Sequence, residues 1–283
     1  MFVKNHVVHV PINIIITPSG SHFFKIGVIL FRSLFYSHYI NSFPITGYKS
    51  LGGPQVTFKG LLFDKDGTLF HFQESWGEWM SQIINDLTAG STRDKKMMAK
   101  VLGFDLIQKT FHKDSVFIAG VAGEFLSIIE PYSCRLKGDA LREFITSKSV
   151  KLIQVPVTNL PKLFAQLKSQ NILLGIATND CEEPAKSQLE SAKILDYFDF
   201  VVGCDSGYGA KPETGQLIEF LNIFDLKSHE VAMIGDSTHD LKAAQKAKIY
   251  SVGVLTGVAE EKELMPYADK ILDSIESIPS WLR

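Results

Sequence analysis

The sequence predicts an α/β fold, with a parallel β-sheet covered by helices on both faces and a small all-α domain inserted after the first strand. Three observations predict it. The apolar run Gly60-Leu61-Leu62-Phe63 stops abruptly at Asp64-Lys65-Asp66-Gly67-Thr68. From about residue 73 to 153, helical spacing recurs without a convincing alternating strand. From Val155 to Leu272, strand-length apolar runs alternate with helical faces. Strands separated by helices form parallel sheets buried on both faces, so each strand reads as a continuous apolar run.

Residues 1–54 read differently from the rest and are expected to lie outside the fold, as translated sequence upstream of the natural start. All 31 acidic residues lie at or beyond Asp64, and prolines and glycines interrupt the segment repeatedly. Its most apolar part, Phe23 to Phe35, contains Lys25 and Arg32 and falls short of the roughly 20 apolar residues of a membrane helix. It lacks the tripartite pattern of a secretory signal, and as a transit peptide it offers Arg32 as its one arginine. His6, His9, His22 and His38 have no carboxylate or thiolate beside them, so a metal site is not expected there.

The Gly60–Phe63 run is too short for periodicity to separate strand from helix. Its length and its Asp/Gly/Thr stop favour a strand. Trp76, Trp79, Met80, Ile83, Ile84 and Leu87 then recur at three- and four-residue spacing, which predicts an amphipathic helix. Met97, Met98, Val101 and Leu102 predict another, and apolar stretches at 116–129 and 140–145 add further helical turns. Leu160, Leu163, Phe164 and Leu167 make one helical face. The runs at 172–177, 198–203, 231–235, 249–254 and 270–272 are the remaining strands. The expected organisation is a core of residues 55–72 and 154–283, with residues 73–153 as a helical insert.

The composition is that of an ordinary globular protein: 45% hydrophobic, 21% charged and a formal net charge of -2. With no basic, aromatic-interleaved stripe, there is no electrostatic case for nucleic acid. Nothing calls for a membrane partner, and both monomer and homodimer stay open. Cys134, Cys181 and Cys204 are odd in number and widely spaced, which fits a reducing, cytoplasmic setting.

Polar residues follow each apolar run: Asp64 and Asp66, then Thr178-Asn179-Asp180, then Lys211-Pro212, then Gly235-Asp236-Ser237-Thr238-His239-Asp240. In parallel sheets ligands bind beyond the carboxyl ends of the strands, where these residues would converge. Structural readings stand beside that one. Asp180 with Glu183, and Ser237 with Asp240, fit capping boxes, and Lys211 fits a solvated surface charge. A capped helix start still presents N–H groups and a positive dipole end to a phosphate. A dinucleotide loop fails, because Pro212 stands where the last glycine after Gly207 and Gly209 should be.

These four stretches resemble, in order, the motifs of the haloacid dehalogenase-like (HAD) hydrolase superfamily. The resemblance runs from about residue 56 to 283, and the helical insert matches the class with a helical cap on a Rossmann-like core. Overall the chain is similar to the phosphoglycolate phosphatase-like branch. The resemblance implies Asp64 as nucleophile, attacking phosphorus to form an aspartyl-phosphate. It implies Mg²⁺ held by Asp64, Asp236 and the Asp66 carbonyl, with Asp240 orienting Lys211 or the metal's water shell. Thr178, Asn179 and Lys211 would hold the phosphoryl oxygens. Asp66 would protonate the leaving alcohol and then activate water. A second aspartate there implies a phosphatase rather than a dehalogenase or an ion pump. Candidate contacts to the leaving group are His71, Gln73, Trp76 and His239. The substrate expected is a small phosphorylated metabolite such as 2-phosphoglycolate. The alternatives are a phosphomutase acting on a sugar phosphate, or a catalytically idle binding protein of the same fold.

Overall fold

The computed structural model describes residues 57–119 and 122–283, so the expectation for residues 1–54 lies outside the described residues. In chain order the elements begin with β1 (Gly60–Phe63), α1 (Phe72–Leu87), α2 (Thr92–Leu102), β2 (Phe104–Asp105) and β3 (Thr110–Phe111). Then come α3 (Val116–Ala119), α4 (Ala122–Ile129), α5 (Gly138–Val150), α6 (Leu160–Lys168), β4 (Leu173–Ala177), α7 (Glu182–Ser191) and β5 (Phe200–Val202). The chain finishes with α8 (Gly215–Ile223), β6 (Val231–Gly235), α9 (Thr238–Ala247), β7 (Tyr250–Val254), α10 (Glu261–Leu264), β8 (Lys270–Leu272) and α11 (Ile278–Trp281).

Six strands form one sheet in the order β5-β4-β1-β6-β7-β8, with every pairing parallel. β1 lies between β4 and β6, and Leu61, Leu62 and Phe63 are wholly buried. Burying each such side chain contributes roughly 1.5–3 kcal/mol, so this strand anchors the domain as well as the motif that follows it. One face packs on Phe63, Phe164, Ile176 and Ile234, and the other on Leu62, Phe220 and Met233. Gly60 and Gly175 leave room for Phe220: a Cβ at either would stand within 3 Å of its ring. The order reverses direction at β1, where ligand crevices form in open parallel sheets.

The insert has its own core around α1, whose Trp76, Trp79, Met80, Ile83, Ile84 and Leu87 are all buried. In α2, Met98 and Leu102 face inward while Met97 and Val101 remain exposed. The insert also carries an antiparallel hairpin of two residues per strand, β2 with β3. Strands that short leave no alternation to read in sequence. Two chain segments join the insert to the core side by side: Phe70 bridges Pro156, His71 N–H donates to Val155 O at 2.8 Å, and Val157 N–H donates to Leu69 O at 3.0 Å. Across this junction, Gln188 of α7 donates to Ser149 O of α5 at 3.0 Å. The C-terminal α11, unforeseen in the sequence, seats Trp281 against Phe58 and Tyr250. Among the described residues no helix is long and apolar enough to cross a membrane.

Candidate active site

The loops after β1, β4 and β6, with the Lys211 loop before α8, meet at the carboxyl edge of the sheet and line one cavity with the insert. Asp64 N–H donates to Ile234 O at 2.8 Å, which carries the ladder one step past β1 and fixes where the carboxylate emerges. Gly67, at φ +87°, turns the chain back on itself, and its carbonyl accepts from Thr256 Oγ1 at 2.7 Å.

Lys211 is no surface lysine. It is 4% exposed, with Nζ 2.6 Å from Asp64 Oδ1 and 2.6 Å from Asp240 Oδ1. Its loop is held from both sides by the Asn179 side chain: Nδ2 donates to Lys211 O at 3.0 Å, and Oδ1 accepts from Lys211 N–H at 2.8 Å. The Asn179 amide is therefore occupied in positioning lysine. Thr178 Oγ1 accepts from Asp180 N–H at 3.1 Å, which leaves its hydrogen for a ligand. Asp240 combines both sequence readings. Its Oδ2 accepts from the Ser237 N–H and hydroxyl in a capping box, while Oδ1 meets Lys211.

Asp64, Asp236 and Asp240 each place a carboxylate oxygen within 4.8 Å of the others, and all three are buried. Three carboxylates around one lysine leave an excess of negative charge. Burial pushes Asp64 up to about 7 against the pull of Lys211, and burial followed by repulsion from Asp64 raises Asp236 well above the usual carboxylate range. On Lys211, burial opposes the charge, but Asp240 and then Asp64 outweigh it and raise its pKa. Asp240 is already engaged by Lys211 and Ser237, whereas the one side-chain partner of Asp236 among the described residues is the Thr68 hydroxyl, at 3.3 Å. The donor set is all oxygen, negatively charged and short of counter-charge, which suits a hard divalent cation.

Asp66 faces the same cavity and is held by three groups. Lys65 Nζ lies 2.5 Å from Oδ2, while Trp76 Nε1 and Gln154 Nε2 donate to Oδ1 at 2.7 and 2.9 Å. Trp76 therefore has two functions, one in the insert's core and one through its N–H on Asp66. Lys65 is wholly buried, 3.1 Å from Asp180 Oδ2 and 2.6 Å from Gln188 Oε1. This draw on Asp180 corrects the expected capping box. The N-cap of α7 is Cys181, with no side-chain cap bond, while Asp180 Oδ1 accepts from the Cys181 N–H at 2.8 Å and Oδ2 faces Lys65. Lys65, Gln154 and Gln188 went unread in the sequence, where nothing marks a lysine or glutamine as buried.

The other expected contacts divide. His239 lines the cavity, half-buried, and burial holds its imidazole below the usual pKa. His71 and Gln73 do not line it. His71 is the N-cap of α1, and the Gln73 amide is spent on Phe111, donating to its O at 3.0 Å and accepting from its N–H at 2.8 Å.

Residues 61–254 match the family described as haloacid dehalogenase-like hydrolase, and the chain belongs to that family. Its relatives there include phosphatases. The chain is 26% identical over 231 residues to a phosphoglycolate phosphatase of Pectobacterium atrosepticum, covering 79% of this chain and 92% of that one. It is 30% identical over 114 residues to the pyrophosphatase PpaX of Bacillus mycoides, covering 40% of this chain and 53% of that one. The solved HAD phosphatase from Thermococcus onnurineus shares the fold, with a TM-score of 0.57 at 22% identity over 80% of this chain and 98% of that one.

Proposed function

We propose that this chain is a Mg²⁺-dependent phosphatase that hydrolyses a small phosphomonoester in the cytoplasm through an aspartyl-phosphate on Asp64. The observation that carries the reading is the pairing of Lys211 with Asp64 and Asp240 at 2.6 Å each, beside the Asp236 carboxylate, which has no ion-pair partner among the described residues. An aspartate attacks a phosphate only where the charge of both anions is offset. Asp64, Asp236 and the Asp66 carbonyl would hold the cation, which when bound offsets charge on the phosphoryl oxygens.

The chain's own residues account for the rest. Lys211 fixes Asp64 and neutralises charge around it. The Thr178 hydroxyl and the neighbouring backbone N–H groups receive phosphoryl oxygens. In the first half, an Asp64 oxygen forms a bond to phosphorus while the ester oxygen leaves and takes the Asp66 proton. In the second, Asp66 takes a proton from water, water oxygen bonds phosphorus, and Asp64 is released with inorganic phosphate. The insert keeps bulk water from the cavity between the two halves.

Phosphate release from a panel of phosphate esters should require Mg²⁺, stop on addition of a chelator and return when Mg²⁺ is restored. Release that continues in chelator would sink the metal role. Gly257 gives a sharper check: a Cβ there would stand 1.7 Å from Asp236 Oδ2 and 2.5 Å from its Cβ. Gly257→Ala is expected to displace Asp236 and to raise the Mg²⁺ concentration for half-maximal activity about 10–100-fold. An unchanged requirement would count against Asp236 as a ligand.

A further inference from the structure

We propose that Cys181, Cys204 and Asp205 form a metal site of their own, outside the active-site cavity, for a thiolate-seeking divalent cation such as Zn²⁺. The two sulfur atoms and a carboxylate oxygen of Asp205 all lie within 4.8 Å of one another. Zinc bonds of about 2.3 Å to sulfur and about 2.0–2.2 Å to oxygen place tetrahedral ligands roughly 3.5–4 Å apart, so small side-chain rotations close the three onto an ion. None of the three residues lines the cavity that holds Asp64 and Asp66. The two cysteines look unrelated in sequence. The parallel pairing of β4 with β5 brings the loops that follow them to the same edge of the sheet.

Backbone contacts fix these two loops against each other. Cys204 N–H donates to Asp180 O at 2.9 Å, and Glu182 N–H donates to Asp205 Oδ1 at 2.8 Å. Gly203 is pressed so close to the other loop that a Cβ would stand 2.4 Å from Glu182 N and 2.5 Å from Asp180 O. Ser206 Oγ ties the turn, accepting from Gly203 N–H at 2.9 Å and donating to Glu182 Oε2. The hydrogen bond on Asp205 holds its carboxylate in place, as outer hydrogen bonds do for metal ligands. Both thiols are half-buried and Asp205 is exposed, so solvent reaches the site and water supplies a fourth ligand.

Donor chemistry selects the ion. The cluster of Asp64, Asp236 and Asp240 is all oxygen and suits a hard cation, whereas two sulfurs with one carboxylate suit a softer one. On Cys181 the hydrogen bond with Cys204, then burial, then charge on Cys204, Asp205 and Asp180 push the thiol up. A protonated pair is a poor target for an oxidant, since the thiolate is the reactive form. A divalent cation supplies the missing positive charge and drives both thiol protons off to solvent. Cys181 directly follows Asp180, whose Oδ2 is 3.1 Å from Lys65, so the bound ion braces the loop that carries Thr178.

Purified full-length protein, kept reduced, tests this by equilibrium dialysis against Zn²⁺ and by titration with Cd²⁺, with excess Mg²⁺ competing for the acidic cluster. The protein should hold zinc, and Cd²⁺ should give the ultraviolet charge-transfer absorption of cadmium on thiolate, which carboxylates do not produce. Cys204→Ser and Cys181→Ser should each weaken Zn²⁺ binding at least about 100-fold, and Asp205→Asn about tenfold with the absorption kept. Cys134→Ser, which removes an exposed thiol outside the cluster, should bind as the unaltered protein does. Thermal unfolding without metal shows that each variant keeps its fold. Equal zinc affinity in both cysteine variants and the unaltered protein overturns the site. Reduced protein that holds no zinc also overturns it, even where air oxidises the pair to a disulfide. Unchanged affinity in Asp205→Asn overturns Asp205 as a ligand.

Discussion

Replacing Asp64 by asparagine is expected to lower kcat for phosphate release by at least about 10⁴-fold, the scale seen when a catalytic nucleophile is removed, while the melting temperature holds or rises. Both halves of the result follow from the same geometry. On the proposed mechanism Asp64 carries the oxygen that bonds phosphorus, and its described neighbours are poorly placed to substitute: Asp236 is packed against Gly67 and Gly257, and Asp240 is committed to Lys211 and Ser237. Its charge is also a burden on the fold, since burial already pushes its pKa up to about 7. Asparagine keeps the shape and an acceptor for Lys211, which retains Asp240 as its ion-pair partner at 2.6 Å. Active sites commonly hold such strain at the expense of stability. The check is phosphate release beside thermal unfolding, both in chelator-free buffer. A variant that has lost its fold would leave the kinetic loss without meaning, and one that keeps Mg²⁺-dependent turnover would remove Asp64 from the mechanism.

The residues of this site differ in how far their sequence context exposes them. β1, β4 and β6 are legible because a strand buried on both faces must be apolar throughout, and its polar stop marks the carboxyl edge. Asp64, Thr178, Lys211 and Asp236 are legible as an ordered set at such stops, although none is distinctive singly. α1 is legible from its periodicity, which places Trp76 in the insert's core and says nothing of where the indole N–H points. That direction depends on the rotamer and on the angle at which the insert meets the core. Lys65 is the clearest case of what stays hidden. A lysine beside two aspartates reads as solvated, and its burial depends on Gln188, 123 residues away, and on Asp180. Likewise the Asn179 amide, which clamps the Lys211 backbone, has no signature separate from a polar residue after a strand.

Lys65→Met is expected to destabilise the protein by about 3 kcal/mol, the lower end of the cost of removing one partner from a buried ion pair. Lys65 is wholly buried, and burial works against its charge, yet Asp66 and then Asp180 outweigh that and raise its pKa. Methionine fills most of the same volume over the Trp76 ring, where Nζ now sits 5.4 Å from the centroid, so the loss is electrostatic rather than a cavity. Asp180 and Asp66 would then face each other with no cation between them, and the Gln188 carbonyl oxygen would lose a donor. Chemical denaturation of the variant should show a lower midpoint at unchanged m-value, and Lys65→Met combined with Asp180→Asn should recover part of the loss. Kinetics separate a positioning role from a merely structural one. Asp66 keeps Trp76 and Gln154 after the substitution, so its carboxylate is loosened rather than lost. On the proposed mechanism, protonation by Asp66 would matter for an alkyl alcohol and little for 4-nitrophenolate, which leaves without a proton. The variant should therefore lose about tenfold more kcat on an alkyl phosphate than on 4-nitrophenyl phosphate, and equal losses on both would confine Lys65 to the fold.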